Sequence, residues 1–525
     1  MMWGTWSART AVLAAAIAAF GLFCLAPVVY MLGSVLTGDI GRTGGAVFLD
    51  ARQRGLLYNT VVLGAGTAVL ATAVGAPLGL MLARIPLRRK ALLRLGLAAP
   101  ILLPPYVLAL CWTYLGSSRG VLAALTGSTL LSNWTHSVPA AVLIMSLAFY
   151  PLSMLSTEAA MRRLDPRLEE AGLLVAPPGR VLWHITFRLC GPGIVAAALI
   201  IFVLAISEFG VPGLLRVRVY TTEVFTAFAS LYDFSRAMVV AVPLLVLSMI
   251  VAAVAATTVV TRMVPNRGAS GAAGLSLPQW RRPAVVGALV TLAGALGVPL
   301  VTLVRQAMAS RSTAEVVTSS AAAVLNSLLM AAAGATAVVL IAVWLGYARA
   351  RTTRNIGRLA DITFIVLFAV PSTIVGVGLI GVWNRPGALD LYGTDAMLLL
   401  AYLARLLPVA AVLLAAAVRY VPVSHEEAAA VSGAGWTSTM LRIVLPQIRV
   451  GLGAVWVIVF VLAFGELGAS ILVAPPGETT LPIRIYTFIA NAPPSQVAAL
   501  ALFQVAVILT PVAALALASS RRTRV

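Results

Sequence analysis

The stretch "EEAAAVSGAGWTSTMLRIVLP", residues 426–446, is a polar, helix-forming insert between two long apolar runs. Its adjacent carboxylates, Glu426 and Glu427, are out of keeping with a chain that is 61% hydrophobic and only 10% charged. A weaker copy, "EEAGLLVAPPGRVLWHITFRL", occupies 169–189. What these inserts are depends on what surrounds them.

Soluble domains carry about a quarter charged residues. This chain of 525 residues falls far below that, with a mean hydropathy of +1.00. Runs of about 20 apolar residues recur along it, each long enough to cross a bilayer as a helix. The expectation is an all-α polytopic membrane protein. A formal charge of +20 would suit nucleic acid, but the basic residues form no patch or arm; they punctuate the apolar runs, as inside loops do. Cys24, Cys111 and Cys190 lie in or beside separate apolar runs without metal-ligand spacing, and read as small buried hydrophobes. The first apolar run, Ala11 to Leu36, is too long for a cleaved signal and reads as a retained span.

Apolar segments fall near 10–36, 57–83, 92–116, 137–157, 191–215, 237–261, 284–304, 320–348, 362–383, 396–418, 450–474 and 496–519. Twelve spans put both termini on one side. With that side cytoplasmic, the 37 Lys and Arg residues divide into 25 inside, 11 outside and one, Arg405, within a span. That bias sets the orientation, and both Glu-Glu inserts face the cytoplasm. A Gly/Ser/Pro-rich linker, 263–282, separates a first repeat (1–262) from a second (283–525). Asn59-Thr60 matches Asn326-Ser327, Pro105 matches Pro371 and Pro151 matches Pro408. "SEFGVPGLL" (207–215) matches "GELGASILV" (465–473), and Thr221-Thr222 matches Thr479-Thr480. Such a run of matches in order implies duplication. Six spans per half make the repeats parallel, related by an axis along the membrane normal.

Each insert carries helix-start chemistry. Ser424 stands three residues before Glu427, the spacing of a capping box. Asp165 is placed to cap a helix with Pro166 at its first position. Gly433 and Gly435, or Pro177-Pro178-Gly179, then break the helix. A second short amphipathic stretch follows, and Pro446 or Pro192 leads into the next span. The expected product is a compact helix–turn–helix on the cytoplasmic face. A helix lying on the membrane is the alternative, but such helices favour Lys and Arg, and anionic lipid repels Glu pairs. A protein docking site accounts for the carboxylates better.

Glu427-Ala428-Ala429, then Gly433, then Ile443 and Leu445-Pro446, resembles the EAA motif (EAA-x3-G-x9-I-x-LP) of ATP-binding-cassette importer permeases. The segment 424–446 fits it fully. The segment 165–190 keeps Glu170-Ala171 but has Gly172 for the second Ala, Ala176 for the Gly and no matching Pro, and is one residue short. Over nearly its whole length the chain is similar to fused two-domain permeases of the ferric-iron type, with thiamine, phosphonate and polyamine permeases as further relatives. The resemblance implies a type I importer fold in the bacterial inner membrane. It also implies docking of a cytoplasmic ATPase dimer on the EAA segments, and a solute delivered by an extracytoplasmic binding protein. Ferric iron is the favoured solute; thiamine, an aminophosphonate or a polyamine are the alternatives.

No GxxxxGK[ST] phosphate loop exists in a chain whose one lysine is Lys90, so ATP and Mg are expected on the partner ATPase, with no cofactor here. His136, His184 and His425 are scattered, and neither a catalytic nor a metal constellation is expected. A major-facilitator-type secondary transporter also has six plus six spans. It would need no EAA pair, and its Gly- and Asp-Arg-rich loop after the second span is replaced here by "ARIPLRRK". A scaffold or sensor is a third reading, disfavoured by polar and proline-broken spans. Charges within spans cost about 2.5–3.5 kcal/mol at the bilayer centre, so they face protein or a cavity. Glu208, Glu466 and Arg405 are therefore candidates for the translocation path; the alternative is an ion pair of Arg405 with one of the two Glu. Tyr106, Trp112 and Trp134 read as packing or interface aromatics.

Overall fold

The computed structural model describes residues 3–37, 50–87, 89–117, 134–262, 275, 277–309, 313–385, 391–477 and 480–522. Every regular element among them is helical. In lipid a helix satisfies its own backbone groups, so an apolar run this long has no cheaper conformation. Ten helices are long and apolar enough to span: Ala8–Leu36, Ala51–Arg84, Val138–Arg162, Pro178–Ser207, Phe234–Thr258, Pro278–Met308, Ala321–Arg351, Asp395–Arg419, Trp436–Phe464 and Pro494–Ala514. Numbered in order with the third and ninth added, they are spans 1 to 12.

Spans 3 and 9 are broken at proline, and the structure gives the break its angle. Span 3 is Lys90–Leu102 followed by Pro105–Gly116, bent by 90°; span 9 is Arg354–Phe368 followed by Ser372–Trp383, bent by 94°. Proline causes both breaks, because its ring excludes a continuing helix and holds the preceding residue extended. Pro104 and Pro371 are the N-caps of the second halves, so the structural match of Pro371 is Pro104 rather than Pro105. A side chain from the following span satisfies a carbonyl freed near each break. Tyr150 of span 4 donates to Leu97 O at 2.8 Å, and Arg405 of span 10 donates to Phe368 O at 3.3 Å and to Val370 O.

Spans 5 and 11 also differ from expectation. Their helices end at Ser207 and Phe464, and the residues beyond form short turns of helix, Gly210–Leu214 and Ser470–Val473. At the other end they extend much further back, to Pro178 and Trp436.

Packing divides the chain into two compact units, residues 1–46, 224–245 and 312–525 in one, 47–223 and 246–311 in the other. These units cut across the sequence repeats. Span 1 packs on helices of the second repeat: Phe20 meets Phe364 edge-on at 5.1 Å, and Cys24 lies 3.8 Å from Leu403 O. Span 7 belongs with the first repeat, where Leu292 stands against Gly96. In each unit the closest helix pair is the same: span 2 on span 4, and span 8 on span 10. Gly79 and Gly346 allow it, since a Cβ there would lie 2.4 Å from Met154 O or 2.8 Å from Ala415 N. Of the linker, Leu275 and residues 277–282 are described; residues 263–274 and Ser276 lie outside the described residues, as does Thr479.

Candidate functional site

Each EAA segment is a short helix, a turn, and the first turns of the following span. In the second repeat the helix is Val423–Val431, with Pro422 as N-cap and no side-chain cap. The expected capping box is not formed: Ser424 lies inside the helix, because Pro422 starts it two residues earlier than the Ser-x-x-Glu spacing suggests. Gly433 closes the helix at φ +80, while Ala434 N donates to Ala429 O at 2.9 Å and Gly433 N to Ala430 O at 3.0 Å. This is the left-handed C-cap that favours glycine. In the first repeat the helix is Pro166–Leu173, and Asp165 caps it as expected, accepting from Arg167 N at 3.0 Å.

The second stretch of each segment is not a separate short helix. It continues into the span, through a π turn at Leu182–Thr186 in one repeat and Met440–Val444 in the other. Pro192 and Pro446 lie within these continuous helices and do not divide them. The compact helix–turn–helix is therefore a short helix and a turn leading into the N-terminal end of span 5 or 11.

The Glu pairs resolve into two functions. Glu170 and Glu427 are exposed, with Ala171 and Ala428 beside them. Apolar side chains flank them on the same turns: Leu174 is 87% exposed, Val175 86% and Val431 90%. Ala429 is buried, Gly433 exposed, Ile443 and Leu445 half-buried and Pro446 exposed. Glu169 and Glu426, by contrast, turn inward. Glu169 is fully buried; it meets Arg84 at 2.8 Å and accepts from Thr186 Oγ1 at 2.7 Å and Leu275 N at 3.0 Å. Glu426 meets Arg351 at 2.6 Å and accepts from the Tyr347 hydroxyl at 2.8 Å. Removing one partner of such a buried pair costs about 3–5 kcal/mol, chiefly by stranding the other charge.

The inward partners were missed in the sequence, although a signal existed. Arg84 and Arg351 are the last residues of spans 2 and 8, and they stand the same 267 positions apart as Asn59 and Asn326. The first segment's departures from the motif also have local causes. A Cβ on Gly172 would lie 2.6 Å from the Ile185 Cδ1 methyl, so the second Ala of the motif would displace that side chain's end. Ala176 N donates to Gly172 O at 2.9 Å and Pro177 N-caps the next helix, so the turn closes without a left-handed residue.

Glu208 and Glu466 sit just beyond the ends of spans 5 and 11, half-buried. Glu208 accepts from Gly210 N at 2.9 Å. Glu466 accepts from Ala469 N at 2.9 Å, Ser470 N at 2.8 Å and Ser470 Oγ at 2.6 Å. Arg405 is held at the span 9 break, as described above. Among the described residues, no three His, Cys, Asp or Glu side chains gather where a metal ion would be held.

Paired bent spans and a twofold helical pattern with an exposed Glu on each EAA-segment helix are features of a polytopic membrane transport protein. The chain belongs to the family of binding-protein-dependent transport system inner membrane components, which it matches twice, over residues 75–265 and 338–525. It is a permease subunit of binding-protein-dependent transport and a multi-pass inner-membrane protein. It is similar to the Fe(3+)-transport system permease protein FbpB 2 of Haemophilus influenzae, 24% identical over 488 residues that cover 90% of this chain and 91% of that one. A putative ABC transporter permease protein, ORF1 of Streptomyces antibioticus, is 35% identical over 39% of this chain and 86% of its own length. The putative 2-aminoethylphosphonate transport system permease protein PhnU of Salmonella typhimurium is 27% identical over 33% of this chain and 63% of its own.

Proposed function

We propose that the chain is the permease of an ATP-driven ferric-iron importer, with its termini and EAA segments in the cytoplasm and a cytoplasmic ATPase dimer docked on those segments. ATP and Mg belong to that dimer, and an extracytoplasmic binding protein delivers the iron. The docking reading is carried by one observation: in each repeat one Glu and its apolar neighbours face outward, while the adjacent Glu is anchored inward. An exposed carboxylate beside apolar side chains suits an Arg-bearing cleft. For the substrate, support comes from the similarity to a ferric permease, which extends over nine-tenths of both chains, against a third of this chain for the aminophosphonate permease.

The test is uptake by vesicles holding the permease, its ATPase and its binding protein. Labelled ferric iron should accumulate with ATP, while thiamine, 2-aminoethylphosphonate and polyamines should neither accumulate nor compete. Accumulation of one of those three without iron would replace the substrate. For orientation, a cysteine at Ser424 should be shielded from an impermeant thiol reagent in intact cells, and one at Tyr392, 42% exposed between spans 9 and 10, should react. Reaction at the first position alone would invert the topology.

Glu208 and Glu466 are proposed to line the path. Their equivalent places at the breaks after spans 5 and 11 support this. Glu466→Gln should lower uptake while binding-protein docking and assembly persist. If assembly and uptake fall in equal proportion, capping the Ser470–Val473 turn is the whole role of Glu466.

A further inference from the structure

The outward Glu of each pair has a partner reading; the inward one has so far only a place. Helix ends do not need it. Asp165 caps the first helix and Gly433 closes the second without either inward carboxylate. Packing does not need it either, since a well-fitted apolar residue is often as stable as a buried ion pair. A Glu–Arg pair adds direction: Arg351 meets Glu426 through Nε at 2.8 Å and a terminal nitrogen at 2.6 Å, and Arg84 meets Glu169 through one terminal nitrogen at 2.8 Å. In both repeats that direction is the same, from the EAA segment to the terminal arginine of the repeat's longest helix. Glu169 reaches Arg84 at the end of Ala51–Arg84, and Glu426 reaches Arg351 at the end of Ala321–Arg351.

Each arginine is itself held. Arg351 donates to Val421 O at 2.9 Å, in the turn leading into the segment, and Arg84 O accepts from Leu277 N at 3.2 Å. The remaining acceptor positions are filled differently. In the first repeat Thr186, within the π turn, and Leu275 N approach Glu169; in the second Tyr347, one turn before Arg351, approaches Glu426. The Arg–Glu pair recurs while its surroundings do not. Spans 2 and 8 are also the helices that pack most closely on spans 4 and 10, across Gly79 and Gly346.

We propose that Glu169 and Glu426 are positioning residues that fasten each EAA segment to span 2 or span 8, so that a push on the segment moves the long helix with it as one body. The proposal rests on the reading of the EAA segments as ATPase docking sites. Breaking the link should leave the ATPase bound, through Glu170 and Glu427, but waste its strokes.

The experiment uses the assembled complex of permease, ATPase and binding protein in vesicles, and reads ferric iron taken up per ATP hydrolysed. Glu426→Gln should lower that ratio at least tenfold with the ATPase still recovered in the complex. Tyr347→Phe, which removes one hydrogen bond and leaves the pair, should lower it about threefold. In a chain with Cys24, Cys111 and Cys190 changed to Ala, combined Arg351→Cys and Glu426→Cys should be uncoupled. Joining those two thiols with a bifunctional methanethiosulfonate linker should return at least half of the lost ratio. A merely structural loss in an assembled complex would not be reversed by a cross-link. A ratio within twofold of the parent in Glu426→Gln and Tyr347→Phe, or a cross-linked carrier that stays uncoupled, overturns the proposal. Undiminished ATPase recovery in Glu427→Ala would instead sink the docking reading, and leaves the ratio as the judge of the link.

Discussion

The two EAA segments reach the same geometry by different local chemistry. The second closes its first helix with Gly433 in the left-handed region and needs Ala434 to complete that turn. The first omits the residue: Ala176 closes an ordinary turn and Pro177 caps the next helix directly. The motif's glycine thus serves a turn of one particular length, and a segment with a shorter turn can lose it. What the two copies share is an outward Glu, an inward Glu and an arginine at the end of the neighbouring long helix. A segment's drift from a consensus is therefore a poor measure of whether it docks.

That comparison can be broken most forcefully by charge reversal. Glu170→Arg with Glu427→Arg should weaken ATPase association about a hundredfold, because like charges then face each other at both contacts. Singly, Glu427→Ala should cost about tenfold and Glu170→Ala about threefold, measured by titrating the ATPase against permease in nanodiscs. Equal losses would mean that the first segment docks as tightly as the second. Unchanged affinity in the double reversal would mean that neither docks through these residues.

Gly433→Val should destabilise the second turn by about 1–2 kcal/mol, since a β-branched residue is forced to positive φ. Ala176→Gly should bring no gain in stability, its turn having no such position. Hydrogen exchange at Ser432 to Gly435 and at Leu174 to Ala176 would read both, and a stabilised first turn would refute the account of the missing residue. Asp165→Ala should cost about 1 kcal/mol of local stability, the usual loss for a capping carboxylate. Ser424→Ala should cost less than about 0.5 kcal/mol, because its hydroxyl caps nothing. Equal exchange rates in these two variants would show that the serine contributes a cap after all.

Much of the architecture was legible in the sequence, for a plain reason: membrane spans advertise themselves by length and hydropathy, and duplication repeats the message. The helix capped by Asp165 was legible too, since cap and Pro lie adjacent in the chain. The misreadings share a cause. The capping box at Ser424 matched a pattern, but Pro422 had already fixed the start of the helix. Prolines marked spans as broken, but the angle of the breaks in spans 3 and 9 was hidden, because hydropathy counts residues and is blind to direction. The split duty of each Glu pair was invisible locally; a 3.6-residue period sends neighbours to different faces, but only tertiary packing says which face is covered. Arg84 and Arg351 carried a usable trace, the same repeat spacing as Asn59 and Asn326.

The exchange of spans 1 and 7 between the sequence repeats sets a timetable. A chain made from its N-terminus makes Ala8–Leu36 well before most of its packing partners: Met238 of span 6 lies 3.4 Å from Ser34, but the partners of Phe20 and Cys24 lie beyond Ala321. Nearly 300 residues must follow, which at about 5–20 residues per second is roughly 15–60 s of synthesis. The unit that receives span 7 needs no such pause, because its last member is made directly after the others. During the interval the face of span 1 that carries Phe20 and Cys24 lacks its final partners. Lipids, insertion factors or a wrong helix can occupy it then. The seam of this molecule most exposed to misassembly is thus one whose two sides are made far apart in time.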